Sequence, residues 1–162
     1  MERAKQAGCR VVFDVDYRSM SWRRPEDAGL AVRLALPMID VLIGNDLELK
    51  LVAGAATLEE AVERLRRVPM LVSKLGNEGT RVYCGAGEPV FLSPYHVEVT
   101  STIGAGDGFA SGFLYGLLRG LSVLDCLRYG NAAAAIVVSR LSCSEAMPTL
   151  GEVEGLIGSK GR

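Results

Sequence analysis

The segment Thr102-Ile103-Gly104-Ala105-Gly106-Asp107-Gly108-Phe109 is where this sequence could do chemistry. Small residues at the mouth of a helix leave consecutive backbone N–H groups uncovered. Such groups, with the positive end of the helix dipole, attract phosphate without any cationic side chain. Asp107 within that turn has two readings: a carboxylate that complements the dipole, or a base beside the anion. Other candidates are spread along the chain. Asn45 and Glu48, three apart, fit a capping box. Lys74 to Gly79 fits a Gly-rich hairpin turn. Asn131, opening an alanine-rich helix, fits a cap. Arg18 fits an exposed surface position as well as a guanidinium fork for carboxylate or phosphate. Asp14 and Asp16 share one face of a strand end, where they can satisfy loop N–H groups. Tyr17 and Trp22 read as packing, and His96 has no partner that would make it a ligand or base.

Several function classes fall away. Gly-Lys-Ser/Thr is absent, so there is no Walker-type loop. A dinucleotide fingerprint needs glycine where Phe109 stands, early in a βαβ unit. Cys9, Cys84, Cys126 and Cys143 are scattered without a Cys-x-x-Cys pair and with one histidine, which excludes a zinc site and reads as buried thiols in a reducing compartment. Eighteen Lys and Arg against nineteen Asp and Glu leave a formal charge of -1, with no footprint for nucleic acid or an acidic membrane. Apolar runs such as Ala132 to Val138 are too short to span a bilayer and no secretory leader follows Met1, so a soluble cytoplasmic protein is expected.

The elements that must position these residues alternate. Val11 to Asp16 reads as a buried parallel strand that opens onto a crevice. Tyr17 to Arg24 is a loop. Pro25-Glu26-Asp27 opens a helix carrying Leu30, Leu34 and Met38 at helical spacing up to the break at Pro37. Val41 to Ile43 is the next strand, and Thr57-x-x-Glu60 is a capping box for a helix through Arg67. Met70 to Ser73 is a third strand. After the turn at 76–79, Arg81 to Cys84, Val90 to Leu92 and Val97 to Val99 form an antiparallel excursion. Helices are expected from Ala105 to about Gly120, from Val123 to about Arg140, and after Pro148. Gly104, Gly108, Gly112, Gly116 and Gly120 recur every four residues, and packing against a close neighbour explains the last four, because each costs a helix about 1 kcal/mol relative to alanine. Strands alternating with helices give an α/β three-layer sheet, whose ligands sit beyond the carboxyl ends of the parallel strands.

Gly104-Ala105-Gly106-Asp107 with Gly108-Phe109-Ala110-Ser111-Gly112-Phe113 resembles the C-terminal signature of the ribokinase-like, or PfkB, carbohydrate kinases. Four further segments agree in order. Asn45-Asp46-Leu47-Glu48 is similar to the family's Asn-x-x-Glu motif, Lys74 to Gly79 to its nucleotide loop, and Asn131 to Ala135 to the helix beside the adenine. Asp14-Val15-Asp16-Tyr17-Arg18, with Trp22, resembles the sugar-acid branch. Ser142-Cys143-Ser144-Glu145-Ala146-Met147-Pro148 resembles members acting on 5-dehydro-2-deoxygluconate, with those acting on 2-keto-3-deoxygluconate next. The resemblance spans essentially the whole chain. It implies one ribokinase-like α/β/α domain over 1–162, a mostly parallel sheet with an antiparallel excursion, and transfer of the γ-phosphoryl of ATP, with Mg²⁺, to a primary hydroxyl of a sugar or sugar acid. Under it, Asp107 would accept the hydroxyl proton, while Gly104, Ala105 and Gly106 would hold the phosphoryl through backbone N–H groups. Glu48 would orient Mg²⁺ through water, and Asn45 would lie near the phosphates. Lys74, Gly76 and Gly79 would line the nucleotide, Asn131 would face the adenine, and Arg18 would pair with a substrate carboxylate or a phosphate.

The sequence departs from the family pattern in three respects. Ser101 stands where members usually carry Asp or Asn, and Ser142-Cys143 replaces a frequent Gly-Ala, both of which argue against activation by K⁺. The match is to the C-terminal part of the family domain, without the half that carries the lid and most sugar contacts. The competing expectation is therefore a fragment that folds, binds nucleotide and catalyses nothing alone, with an open sheet edge that promotes self-association. A nucleoside or vitamin kinase of the same superfamily is a third reading, against which Arg18 and the 14–22 segment argue.

Overall fold

A computed structural model describes residues 1–141 and 144–159. The Ser142-Cys143 step of the expected cation loop therefore lies outside the described residues. The chain forms two compact units, one of residues 1–75 and 81–89, the other of 76–80 and 90–162.

In the first unit, β1 (Val12–Asp14), β2 (Val41–Asn45) and β3 (Met70–Lys74) run parallel, with Phe13 beside Leu42 and Leu42 beside Leu71. Strand β4 (Thr80–Cys84) lies next to β3. Five residues join the two, too few for a parallel crossover, so β4 runs antiparallel as the sequence implies. Helices α1 (Glu2–Gln6), α2 (Pro25–Ala35), α3 (Asp46–Ala53) and α4 (Leu58–Leu65) complete the unit. Its core is a cluster including Leu42, Leu49, Val52, Val62, Leu65 and Leu71, each worth about 1.5–3 kcal/mol when taken from water.

The local starts follow capping chemistry. Asn45 accepts the Glu48 N–H at 2.9 Å while Glu48 accepts the Asn45 N–H at 2.7 Å, a reciprocal capping box that opens α3. Thr57 accepts from the Glu60 N–H at 3.2 Å, but the Glu60 carboxylate reaches one residue further back, to the Ala56 N–H. In α2, Leu30 and Leu34 are exposed, and Ala28, Gly29 and Val32 form the buried face. The reason is steric. A Cβ on Gly29 would lie 2.1 Å from the Leu51 carbonyl oxygen of α3, so the helices meet at a smaller residue than leucine. Cys9 and Cys84 are also exposed, contrary to the expected burial, and Cys126 is buried.

The second unit contains β5 (Val90–Leu92), α5 (Ala105–Leu118), α6 (Val123–Val138) and α7 (Leu150–Ser159). Its glycine strip works as expected at three positions. A Cβ on Gly108 would meet Val137 at 2.8 Å, one on Gly112 the Tyr129 carbonyl at 2.3 Å, and one on Gly116 Cys126 at 2.9 Å, so α6 lies almost backbone to backbone on α5. Gly120 is different: its surroundings are open and its φ is +68°, so it serves helix termination rather than packing. The expected strand at Val97 to Val99 is absent. Instead, the N–H groups of Thr100 and Ser101 both donate to the Val138 carbonyl, at 2.7 and 3.1 Å, which draws this segment onto the end of α6 and away from any ladder. No helix among the described residues is long and apolar enough to cross a membrane.

Candidate active site

In the second unit, the end of α6 positions the 102–107 turn. Beyond the two bonds to Val138, the Ser101 hydroxyl accepts the Ile103 N–H at 3.3 Å. Gly104 then turns at φ +81°, a conformation natural to glycine, and is the N-cap of the 14-residue α5 without any side-chain cap. Its carbonyl accepts the Gly108 N–H at 2.8 Å, and Ala105 N–H donates to Thr102 at 3.3 Å. The N–H groups of Gly106 and Asp107 belong to the first turn, where no intrahelical acceptor exists. The Asp107 side chain is exposed beside them. An uncapped helix start, uncovered amides and an accessible carboxylate in one turn suit an anion and a proton acceptor side by side.

The same unit holds the 76–79 turn, a 3-10 turn at Gly76–Glu78. Gly76 and Gly79 have φ of +60° and +107°, so both need glycine. Gly76, Asn77 and Glu78 are exposed, while Gly79 and Thr80 are buried. Asn131 is also buried, at the middle of α6 rather than at its start, so it is not the cap that its place before the alanines allows. The cap of α6 is Ser122, which accepts from the Asp125 N–H at 3.1 Å.

In the first unit, the carboxyl ends of β1, β2 and β3 bring together residues far apart in sequence. Lys74, level with Asn45 in the ladder, reaches across β2 and donates to both oxygens of Asp14 at 3.1 and 3.2 Å. Burial pushes the Asp14 carboxyl above its ordinary range; Lys74 pulls it down, and the nearby Glu48 charge pushes it up again. Glu48 is 6% exposed, and besides capping α3 its Oε1 accepts the Tyr17 N–H at 3.1 Å, fixing the loop after β1. Asp16 in that loop has φ +40°, alone among non-glycine residues described. Its carboxylate pairs with Arg18 at 2.7 Å, and both side chains are more than half exposed. Asp14 and Asp16 therefore hold cations rather than loop amides alone. Trp22 is exposed rather than packed, because the 17–24 loop runs over the surface. Among the described residues no three His, Cys, Asp or Glu groups gather as a metal site.

Sequence reasoning missed the Asp14–Lys74 pair, the Thr80 partner of Asn131 and the Thr149–Glu152 cap of α7. The first two join residues 60 and 51 apart and have no local signal. The third was visible as Thr-x-x-Glu after Pro148.

The sequence pattern of the pfkB family carbohydrate kinases matches residues 1–150, and the chain belongs to that family. A 5-dehydro-2-deoxygluconokinase of Shouchella clausii is 40% identical over 158 residues, covering 95% of this chain and 48% of its own. The chain thus spans about half the length of the curated relatives it matches. Among solved structures, a fructokinase of Vibrio cholerae O395 bound to fructose, ADP and calcium superimposes with a TM-score of 0.87 at 25% identity, over 96% of this chain and 53% of its own. A ribokinase of Arabidopsis thaliana complexed with ribose and ATP gives 0.81 at 27% identity, over 96% and 50%. The fold is the α/β fold of the ribokinase-like kinases, and the enzyme class to which the relatives belong is that of sugar kinases.

Proposed function

We propose that residues 1–162 form the nucleotide-binding and catalytic part of a single kinase domain that transfers the γ-phosphoryl of ATP to the primary hydroxyl of a sugar acid. The acceptors that fit best are 5-dehydro-2-deoxygluconate, after the name of the relatives, and 2-keto-3-deoxygluconate. The observation that carries this reading is the first turn of α5, in which the Gly106 and Asp107 amides have no intrahelical acceptor or side-chain cap, with the exposed Asp107 in the same turn.

The chemistry follows from those parts. Phosphoryl transfer has a loose transition state, so positioning and charge stabilisation dominate. Backbone amides of Gly104, Gly106 and Asp107 would receive the equatorial oxygens of the γ-phosphoryl, the Ala105 N–H being already given to the Thr102 carbonyl. Asp107 would accept the hydroxyl proton as the sugar oxygen bonds to phosphorus and the bond to the ADP leaving oxygen breaks. Lys74, Gly76 and Gly79 would border the nucleotide, with Asn131 behind the turn, and Asn45 would lie near the phosphates. Arg18, at the surface beside Asp16, would exchange that partner for the acceptor carboxylate. Each Glu48 oxygen takes one N–H and keeps a lone pair, which suits holding a water of Mg²⁺; that ion binds chiefly through phosphates and water and needs few protein carboxylates. Mg²⁺ would supply neutralisation of the phosphate charge. No role is proposed for K⁺, for nucleic acid or for a membrane, and the compartment that fits is the cytoplasm.

The test is ATP-dependent phosphorylation of a panel of 2-keto-3-deoxy and 5-keto-2-deoxy sugar acids, with calorimetry of Mg·ATP binding. Asp107→Asn is expected to lower turnover roughly 10²–10⁴-fold while nucleotide affinity stays near that of the parent. A parent protein that binds Mg·ATP and turns over no acceptor supports the second reading, a part that needs the remaining half of the relatives' length to act.

A further inference from the structure

Asn131 uses its buried amide to join three segments that are distant in sequence. It is 6% exposed. Its Oδ1 accepts the Thr80 hydroxyl at 2.8 Å, and its Nδ2 donates to the carbonyls of Leu92 at 3.3 Å and Ser93 at 3.1 Å. Two carbonyls can only accept, so the amide orientation is fixed by its partners, and both of its hydrogens are spent. Next to Thr80, Gly79 is pressed onto the same segment: a Cβ there would lie 2.4 Å from the Leu92 carbonyl oxygen. One end of the 76–80 turn is therefore clamped, at Gly79 by contact and at Thr80 through Asn131, while Gly76 to Glu78 stay exposed.

We propose that Asn131 is a positioning residue for nucleotide binding: it sets the 76–79 turn through Thr80 and leaves the base to other groups. The inference rests on reading that turn as part of the nucleotide site. An amide without free hydrogens cannot donate to a base, whereas a clamp on a turn governs how often the turn is competent to bind. Apparent affinity falls in proportion to that fraction.

The test is calorimetry of Mg·ATP with the full chain and its variants, with thermal unfolding of the same samples. Thr80→Val removes the hydroxyl at nearly constant volume and is expected to weaken Mg·ATP binding roughly three- to tenfold, the worth of one buried hydrogen bond. Thr80→Ser keeps the hydroxyl and is expected to restore parental affinity. Asn131→Ala combined with Thr80→Val is expected to lose less than the product of the two single losses. If Asn131→Ala does not fold, the Thr80→Val and Thr80→Ser pair decides. Parental affinity in Thr80→Val, with or without a lowered melting temperature, overturns the proposal, as does a loss confined to Asn131→Ala, which would mark a direct base contact. A parent chain that does not bind Mg·ATP overturns the nucleotide reading itself, and the proposal falls with it.

Discussion

Ser73 and Thr80 are two buried hydroxyls with opposite situations. Thr80 donates to Asn131, whereas the Ser73 oxygen, on a fully buried residue of β3, has no partner among the described residues. An unpaired hydroxyl carries its desolvation cost without return. Ser73→Ala is therefore expected to leave stability unchanged or raise it by up to about 1 kcal/mol, read as the shift of a denaturant midpoint at constant slope. A loss above that would mean that Ser73 bonds a buried water. At this scale the sequence was informative where the signal is local. The Gly104 to Asp107 turn and the Asn45–Glu48 box could be read because capping and glycine chemistry act within four residues. The Asp14–Lys74 pair could not, since it depends on strand register across β2, and neither could the buried bond of Asn131 to Thr80, since an isolated asparagine before alanines suggests a cap.

Among the elements, the contact between α5 and α6 is set by absent side chains. Gly112→Ala would place a methyl 2.3 Å from the Tyr129 carbonyl, and neither helix backbone can yield cheaply, so a loss of about 3 kcal/mol is expected. Gly155→Ala in α7 is the control: nothing lies within 4 Å of its Cβ position, and the better helix former should gain about 0.5–1 kcal/mol. Both are read by chemical denaturation. Helix α7 also has a titrating cap. Glu152 accepts from the Thr149 N–H at 2.8 Å and the Thr149 hydroxyl at 2.9 Å and pairs with Arg140, and these bonds, the backbone one first, hold its carboxyl down to about 2. A folded-state value below the unfolded one adds stability above the ordinary carboxylate range, and that stability is lost as pH falls through the folded value. The start of α7 should loosen on acidification from about 4.5 to about 2, visible as α-carbon shifts moving toward coil, with the step missing in Glu152→Gln. Element order and type were largely readable from apolar periodicity and caps. What periodicity left open in α2 and got wrong at Val97 to Val99 has one cause: it reports that a face is apolar, while Gly29 against Leu51, and the Val138 carbonyl, decide what it meets.

For the whole molecule, the division into two units does not follow the order of the chain. Residues 76–80 are counted with the second unit although 1–75 and 81–89 form the first, so β4 starts at Thr80 in one unit and continues to Cys84 in the other. A strand is ordered by a ladder that forms cooperatively, and of the five residues of β4 only Thr80 is counted with the second unit, 81–84 with the first. Loss of the second unit releases Thr80 from Asn131 and leaves β4 without its first residue. Because one cooperative strand has residues counted with both units, the two are expected to unfold together, although each has its own apolar cluster. Two probes separate the possibilities. Trp22, the single tryptophan, reports on the first unit, and Cys126, fully buried in α6, reports on the second by thiol labelling once the other cysteines are serine. Coincident denaturant midpoints are the expected result. Labelling of Cys126 at a distinctly lower concentration than the Trp22 transition would show that the second unit opens by itself, and that the anion turn at Gly104 to Asp107 belongs to the less stable part of the protein.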